Sequence, residues 1–274
     1  MKKSFIIAAA TLIAAVSCGP KMTNQEKQEA YEAELDKVME VYKAAEDKRA
    51  AQEVAIQQIV DISFATIKKN PSDSVALYAL ENCYHYAEPE ELAEIIDCIS
   101  DELKEDKLVK NIQEDLAAKI ATKEGNPFVD FTIDHVTGVD ADGKPMYQKV
   151  SLSDYVGKGK YMLVDFWSPW CGPCKKEIPN IKAVYEKYHG DKFDVLSVAV
   201  WEESRKMNWQ NTIDTAAVLG ITWNQINNGH KEPADLYGID GIPHVILFGP
   251  DGTILKRDLR GQELEDAVAA AVAE

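Results

Sequence analysis

Two periodicities divide the chain. From Thr23 onward apolar residues recur at helical spacing: Leu35, Val38, Tyr42 and Ala45 share one face, and Val54, Ile56, Ile59, Ile62 and Ile67 continue the pattern. The polar stretch 46–53 between them reads as a loop or as the exposed middle of one long helix, since no Gly or Pro occurs from Lys21 to Asn70. Asn70-Pro71 stops the pattern. A second helix is predicted over 72–87, a third opening at Pro89, and a fourth over 106–122, ending near Gly125-Asn126-Pro127. Beyond that point short apolar runs alternate with helical stretches. The pattern predicts a hairpin (128–134 and 146–152), strands over 161–167, 193–201 and 223–226, a second hairpin (245–248 and 254–258), and helices over 175–189, 203–219 and 263–272.

Chemistry concentrates at one junction. The strand 161–167 is followed by Trp170-Cys171-Gly172-Pro173-Cys174 and then by a helix. Two cysteines at this spacing, where a strand enters a helix, form a reversible dithiol/disulfide. The first lies where free N–H groups and the helix dipole favour a thiolate; the second lies one turn on, within reach of a mixed disulfide. A zinc site would need about four ligands. The remaining cysteines (Cys18, Cys83, Cys98) and the five histidines supply no second ligand pair. No metal or other cofactor is expected. Cys83 and Cys98, in neighbouring helices, are either a structural disulfide or two small buried hydrophobes; they would not lie level across an antiparallel hairpin, which favours the second.

The run Val164-Asp165-Phe166-Trp167-Ser168-Pro169-Trp170-Cys171-Gly172-Pro173-Cys174-Lys175 resembles the active-site segment of thioredoxin-fold proteins. Pro179 resembles that family's helix-kinking proline, Gly241-Ile242-Pro243-His244-Val245 its cis-proline segment, and Asp251-Gly252-Thr253-Ile254 the hairpin turn after it. Lys175-Lys176-Glu177-Ile178-Pro179-Asn180 is similar to the exported TlpA/ResA-like thiol-disulfide oxidoreductases of the redoxin/AhpC-TSA superfamily, and the likeness covers 126–274. It implies an α/β thioredoxin fold, a mixed sheet flanked by helices with an N-terminal hairpin extension and a central insertion within 202–237; the helical periodicity before it, outside the resemblance, predicts a preceding all-α domain.

The resemblance also assigns roles. Cys171 would be the nucleophile and Cys174, more buried, the resolving thiol. Asp165 matches a buried acid that takes the proton of the second cysteine, its pKa raised by burial. Glu177 matches an acid kept near the dithiol; it is either a second proton relay or a first-turn glutamate placed for the helix dipole. Trp170, Gly172 and Pro173 would form the rim offered to substrate. Pro243 would be cis, leaving the backbone of Ile242 open to an extended substrate. His244 stands where threonine is usual; it either stabilises the thiolate and titrates near neutrality or packs aside as its strand begins. Trp167, Trp201, Trp209 and Trp223 read as core.

The N-terminus adds an address. Lys2-Lys3, an apolar run from Phe5 to Val16 and Ala15-Val16-Ser17-Cys18 predict a signal peptide over 1–17. Cys18 resembles the lipidated cysteine of a bacterial lipoprotein, with Ala15 in place of the usual leucine. The expected order is signal peptide, lipidated linker (18–24), helical domain (25–124) and thioredoxin-like domain (126–274). The protein is expected to be exported to the periplasmic side and lipid-anchored to a membrane. Disulfides persist there, so a dithiol meets oxidised substrates.

Formal net charge is −16, and −18 without Lys2 and Lys3; residues 19–124 carry −11 and 125–274 carry −7. Such acidity excludes nucleic acid as a partner and argues against peripheral binding to anionic lipid. The expected function is reduction of disulfides in exported proteins, with a membrane thiol electron donor restoring the dithiol. The Gly-Pro between the cysteines resembles that of reducing thioredoxins. The alternatives are a redox-sensing or docking adaptor using the helical domain, and a disulfide isomerase or oxidase. A thiol peroxidase is disfavoured by the missing Pro-x-x-x-Thr-x-x pattern. The helices faintly resemble tetratricopeptide pairs without a 34-residue repeat. A partner-docking module, a membrane spacer and a homo-oligomerising bundle all remain open for them.

Overall fold

The computed structural model describes residues 21–202, 205, 207–227 and 230–273. The expected signal peptide and Cys18 lie outside them. Among the described residues no helix is long and apolar enough to cross a membrane. The chain forms two compact units, one of residues up to Tyr86 with Cys98–Leu103, the other of Ala87–Asp97 with Lys104–Glu274.

The first unit contains α1 (Asn24–Ala44), α2 (Lys48–Lys69) and α3 (Ser74–Cys83). The break between α1 and α2 is only three residues. Asp47 ends it by accepting from the N–H groups of Arg49 and Ala50, satisfying two donors that the first turn leaves open. Thr23 and Glu26 form a reciprocal capping box on α1. Tyr31, Val60, Ile67, Ala76 and Leu80 pack the interior, where the Tyr31 hydroxyl and Ser63 Oγ share a 2.8 Å hydrogen bond. Cys83 is buried, Cys98 is exposed, and neither is in a disulfide. The expectation of two buried hydrophobes is thus corrected for Cys98.

The helical stretch expected as one domain over 25–124 is divided. A short turn, α5 (Asp101–Lys104), was not predicted, and α4 (Pro89–Asp97) and α6 (Lys107–Ala121) pack together in the second unit. Long-range polar contacts explain where α6 belongs. Arg257 donates to the carbonyls of Thr122 and Tyr237, each at 2.6 Å, and to Thr122 Oγ1. Lys119 pairs with Asp240 at 2.6 Å. Beside them Gly238 has φ +58°, and a Cβ there would lie 2.5 Å from Lys119 Cγ and 2.9 Å from Lys119 N. Gly238→Ala should therefore destabilise this unit by about 2–4 kcal/mol, combining left-handed backbone strain with a backbone clash. Urea unfolding measures it, and an unchanged midpoint would refute the close approach.

Five strands form the central sheet in the order β5 (Asn224–Ile226), β4 (Phe193–Ala199), β3 (Tyr161–Trp167), β6 (His244–Phe248), β7 (Ile254–Lys256). β3 is parallel to β4 and antiparallel to β6. A separate hairpin joins β1 (Thr132–Val139) to β2 (Pro145–Ser151). Its first strand begins four residues later than periodicity suggested, because Asn126 and Phe128 instead exchange backbone hydrogen bonds with Ile254 and Gly252 near the second hairpin. Strand alternation gives the sheet two faces. Met162, Val164 and Phe166 pack with Phe131, Ile133 and Tyr237, on the side of the first hairpin and α9 (Glu232–Leu236), a short helix not predicted. Leu163 packs with Ile178, Ile181 and Val184 of α7 (Gly172–Tyr188) and with Leu264 and Val268 of α10 (Gly261–Val272). The segment 203–219 is shorter in helix than expected: α8 runs Trp209–Leu219, opened by a capping box of Asn208 and Asn211.

Candidate active site

The dithiol lies at the start of α7. Cys171 is the N-cap, and its Sγ accepts from Cys174 N at 3.1 Å. The helix therefore opens at Gly172, three residues earlier than predicted, with Pro173 inside its first turn, where no intrahelical N–H is needed. Further on, Pro179 removes an N–H from the same helix. Cys171 and Cys174 are joined in a disulfide with Cα atoms 5.3 Å apart. In this oxidised state both are buried almost equally, at 2% and 1% exposure, so the expected difference in burial is not expressed. Gly172 and Pro173 are exposed and Trp170 half-buried, forming the open side of the site.

Trp170 is held from outside the motif. Its indole N–H donates to Trp201 O at 3.2 Å, and Arg205 lies over its ring at 5.2 Å. Trp201 follows β4 and has φ +57°, an unusual conformation for a bulky residue. Trp201 and Trp209 are half-buried, whereas Trp167 and Trp223 are buried.

The Ile242–Pro243 peptide is cis, and Ile242 O lies 3.6 Å from Cys171 Sγ. Arg260 donates to Pro243 O at 2.7 Å and to Asp258 at 2.8 Å, bracing the loop from behind. His244 begins β6. Its Nε2 lies 3.4 Å from an Arg257 nitrogen and its Nδ1 3.6 Å from Asp258 Oδ1. Burial, with Arg257 adding to it, pushes its pKa down to about 4, so the ring is neutral at pH 7. These are the contacts of a histidine engaged with the end of the second hairpin. An open groove of about 670 Å³ runs from Ile242 and His244 past Arg257 and Arg260 to Ile120 and Pro89.

Asp165 is 1% exposed at the centre of β3. Alternation sets it between Leu163 and Trp167, on the face covered by α7; Trp167 packs in the same cluster as both cysteines. Burial raises its pKa to about 7, Ser197 opposes the rise by hydrogen bonding, and the negative charge of Glu177 adds to it. Glu177 itself is buried in the second turn of α7 rather than the first, so the dipole of its own helix does not explain it. Its Oε1 accepts from Gly261 N at 2.8 Å and from Asn180 Nδ2 at 3.1 Å, capping the start of α10. Sequence reasoning missed this partner, 84 residues away, as well as Ser197, Trp201 and Arg260. None lies in a local motif.

Residues 125–257 match the AhpC/TSA family. The thiol-disulfide oxidoreductase ResA of Bacillus subtilis (strain 168) is 27% identical over 140 residues, 51% of this chain and 69% of that protein. ResA of Oceanobacillus iheyensis is 30% identical over 105 residues, 38% of this chain and 51% of that protein. Among solved structures, the thioredoxin domain of a thiol-disulfide oxidoreductase from Bacteroides vulgatus has 29% identity, covering 54% of this chain and 96% of that one with a TM-score of 0.43. A thiol:disulfide interchange protein from Bacteroides sp. has 29% identity, 56% and 93% coverage and a TM-score of 0.44. Sheet order, helix-capping dithiol and sequence matches together define a thioredoxin-fold redox domain. Within that class the chain is similar to the ResA thiol-disulfide oxidoreductases, a likeness that supports the same activity.

Proposed function

We propose that the chain reduces disulfides of exported proteins outside the cytoplasm, carried by export and by a lipid on Cys18, with a membrane thiol donor returning it to the dithiol. The observation that carries this reading is the Cys171–Cys174 pair capping α7, against the Ile242 carbonyl and on the same sheet face as buried Asp165.

The reaction follows from that placement. The Cys171 thiolate, held by the Cys174 N–H and the helix N-terminus, attacks one sulfur of the substrate disulfide. A mixed disulfide forms, and the other substrate sulfur leaves as a thiol after taking up a proton. Asp165, with a pKa near 7, accepts the proton of Cys174. The Cys174 thiolate then attacks Cys171 Sγ, releasing the second substrate thiol. The enzyme loses two electrons and the Cys174 proton, which passes through Asp165 to the second substrate sulfur; solvent supplies the proton for the first, and the Cys171–Cys174 disulfide is the product. The exposed edge at Trp170, Gly172, Pro173 and Ile242 receives the substrate chain, and Glu177 orders the α7–α10 contact behind the dithiol.

The reduction potential of the pair tests the direction. Equilibration with defined dithiothreitol or glutathione ratios should give about −250 mV or lower. A value of about −120 to −180 mV would overturn the reductase reading in favour of an oxidase or isomerase.

A further inference from the structure

Asp165 belongs to a chain of buried hydrogen bonds whose direction is set at its far end. Trp223, just before β5, donates from its indole Nε1 to Ser197 Oγ at 2.9 Å. Ser197, directly opposite Asp165 in the parallel β3–β4 register, donates to Asp165 Oδ2 at 3.3 Å. All three residues are buried. An indole nitrogen can only donate, so Ser197 must accept from it, and the single hydroxyl proton of Ser197 is left for Asp165. Oδ2 is thereby committed as an acceptor. Asp165 Oδ1 has no hydrogen-bond partner among the described residues.

We propose that Trp223 and Ser197 are positioning residues that fix which carboxyl oxygen of Asp165 exchanges a proton with the dithiol: Oδ1 takes the Cys174 proton and returns it, while Oδ2 never carries one. This rests on the reading of Asp165 as the proton acceptor for Cys174. The transfer balances within the pair, since the S–H bond of Cys174 breaks as O–H forms at Oδ1. The groups around Asp165 are few. Among the described residues Glu177 on α7 supplies the one neighbouring charge acting on it, and the α7 cysteines join it once reduced. Its strand neighbours, Ser197 on β4 and Val245 on β6, carry no charge. The relay therefore works against Glu177: it eases ionisation of an acid that its surroundings hold neutral.

The test uses the full chain. The Asp165 carboxyl is titrated in the oxidised protein by carbon-detected NMR, and the pH profile of disulfide reduction is recorded in parallel. Ser197→Ala should raise the carboxyl midpoint by about one pH unit, the effect of losing one hydrogen bond to a charged group. The pH profile should move with it. Trp223→Phe, which keeps an aromatic side chain and deletes the donor, should move both in the same direction, and Ser197→Thr should restore them. If Asp165→Asn alters the pH profile while Ser197→Ala and Trp223→Phe leave midpoint and profile in place, the relay is wrong and the parent reading stands. If Asp165→Asn leaves the profile unchanged, the parent reading falls and the relay with it.

Discussion

Cys174→Ser should leave the protein covalently joined to its substrate. The nucleophile at the cap of α7 still attacks, but no second thiol remains one turn away to release the mixed disulfide. Turnover of a disulfide substrate should fall by about three orders of magnitude or more, and a non-reducing gel should show an adduct that dithiothreitol removes. Cys171→Ser should lose as much activity and form no adduct. The asymmetry follows from position: Cys171 Sγ lies against the Ile242 carbonyl, just before the cis proline, and holds the capping N–H of Cys174. Adduct formation by Cys171→Ser instead would reverse the assignment of nucleophile and resolving thiol.

Asp165→Asn should stabilise the fold, and increasingly so as pH rises. The folded pKa is about 7 against an ordinary 3.8, chiefly because burial disfavours the charge. Below about pH 4 both folded and unfolded chains hold the proton, and the substitution changes little. Between about pH 4 and 7 the unfolded chain releases its proton while the folded chain keeps it, so the wild type loses stability across that window. Above pH 7 the penalty is complete, on the order of 4 kcal/mol. Asparagine carries no such penalty. Urea unfolding of both proteins at pH 4, 6 and 8 should therefore diverge with pH, and a constant difference would contradict the buried, proton-holding state of Asp165. A stabilising substitution that removes a reacting group is the expected signature of a site kept for chemistry rather than for stability.

The same residues show what local information reaches. β3 matches the apolar run 161–167 residue for residue, because a strand buried on both faces reads as a continuous hydrophobic segment. The start of the first hairpin was misread because the competing partner of Asn126 and Phe128 lies in another hairpin more than a hundred residues on. The division of the helices was not legible either. α4 and α6 resemble their neighbours in pattern and charge, and their attachment depends on Arg257, Asp240 and Gly238, far along the chain.

By itself the sequence determined the redox pair and its place at a strand–helix junction, and its family resemblance implied the buried acid on the strand before it and the cis proline. The redox pair is a short-range pattern in which residue type and spacing dictate geometry; the acid and the proline were legible only through the resemblance. Tertiary structure alone decided that Glu177 caps α10, that His244 is a neutral ring engaged by Arg257 and Asp258, and that Trp223 orients Ser197 toward Asp165. In each case the side chain's role depends on its hydrogen-bond partner and burial, and both are set by packing between elements distant in the chain.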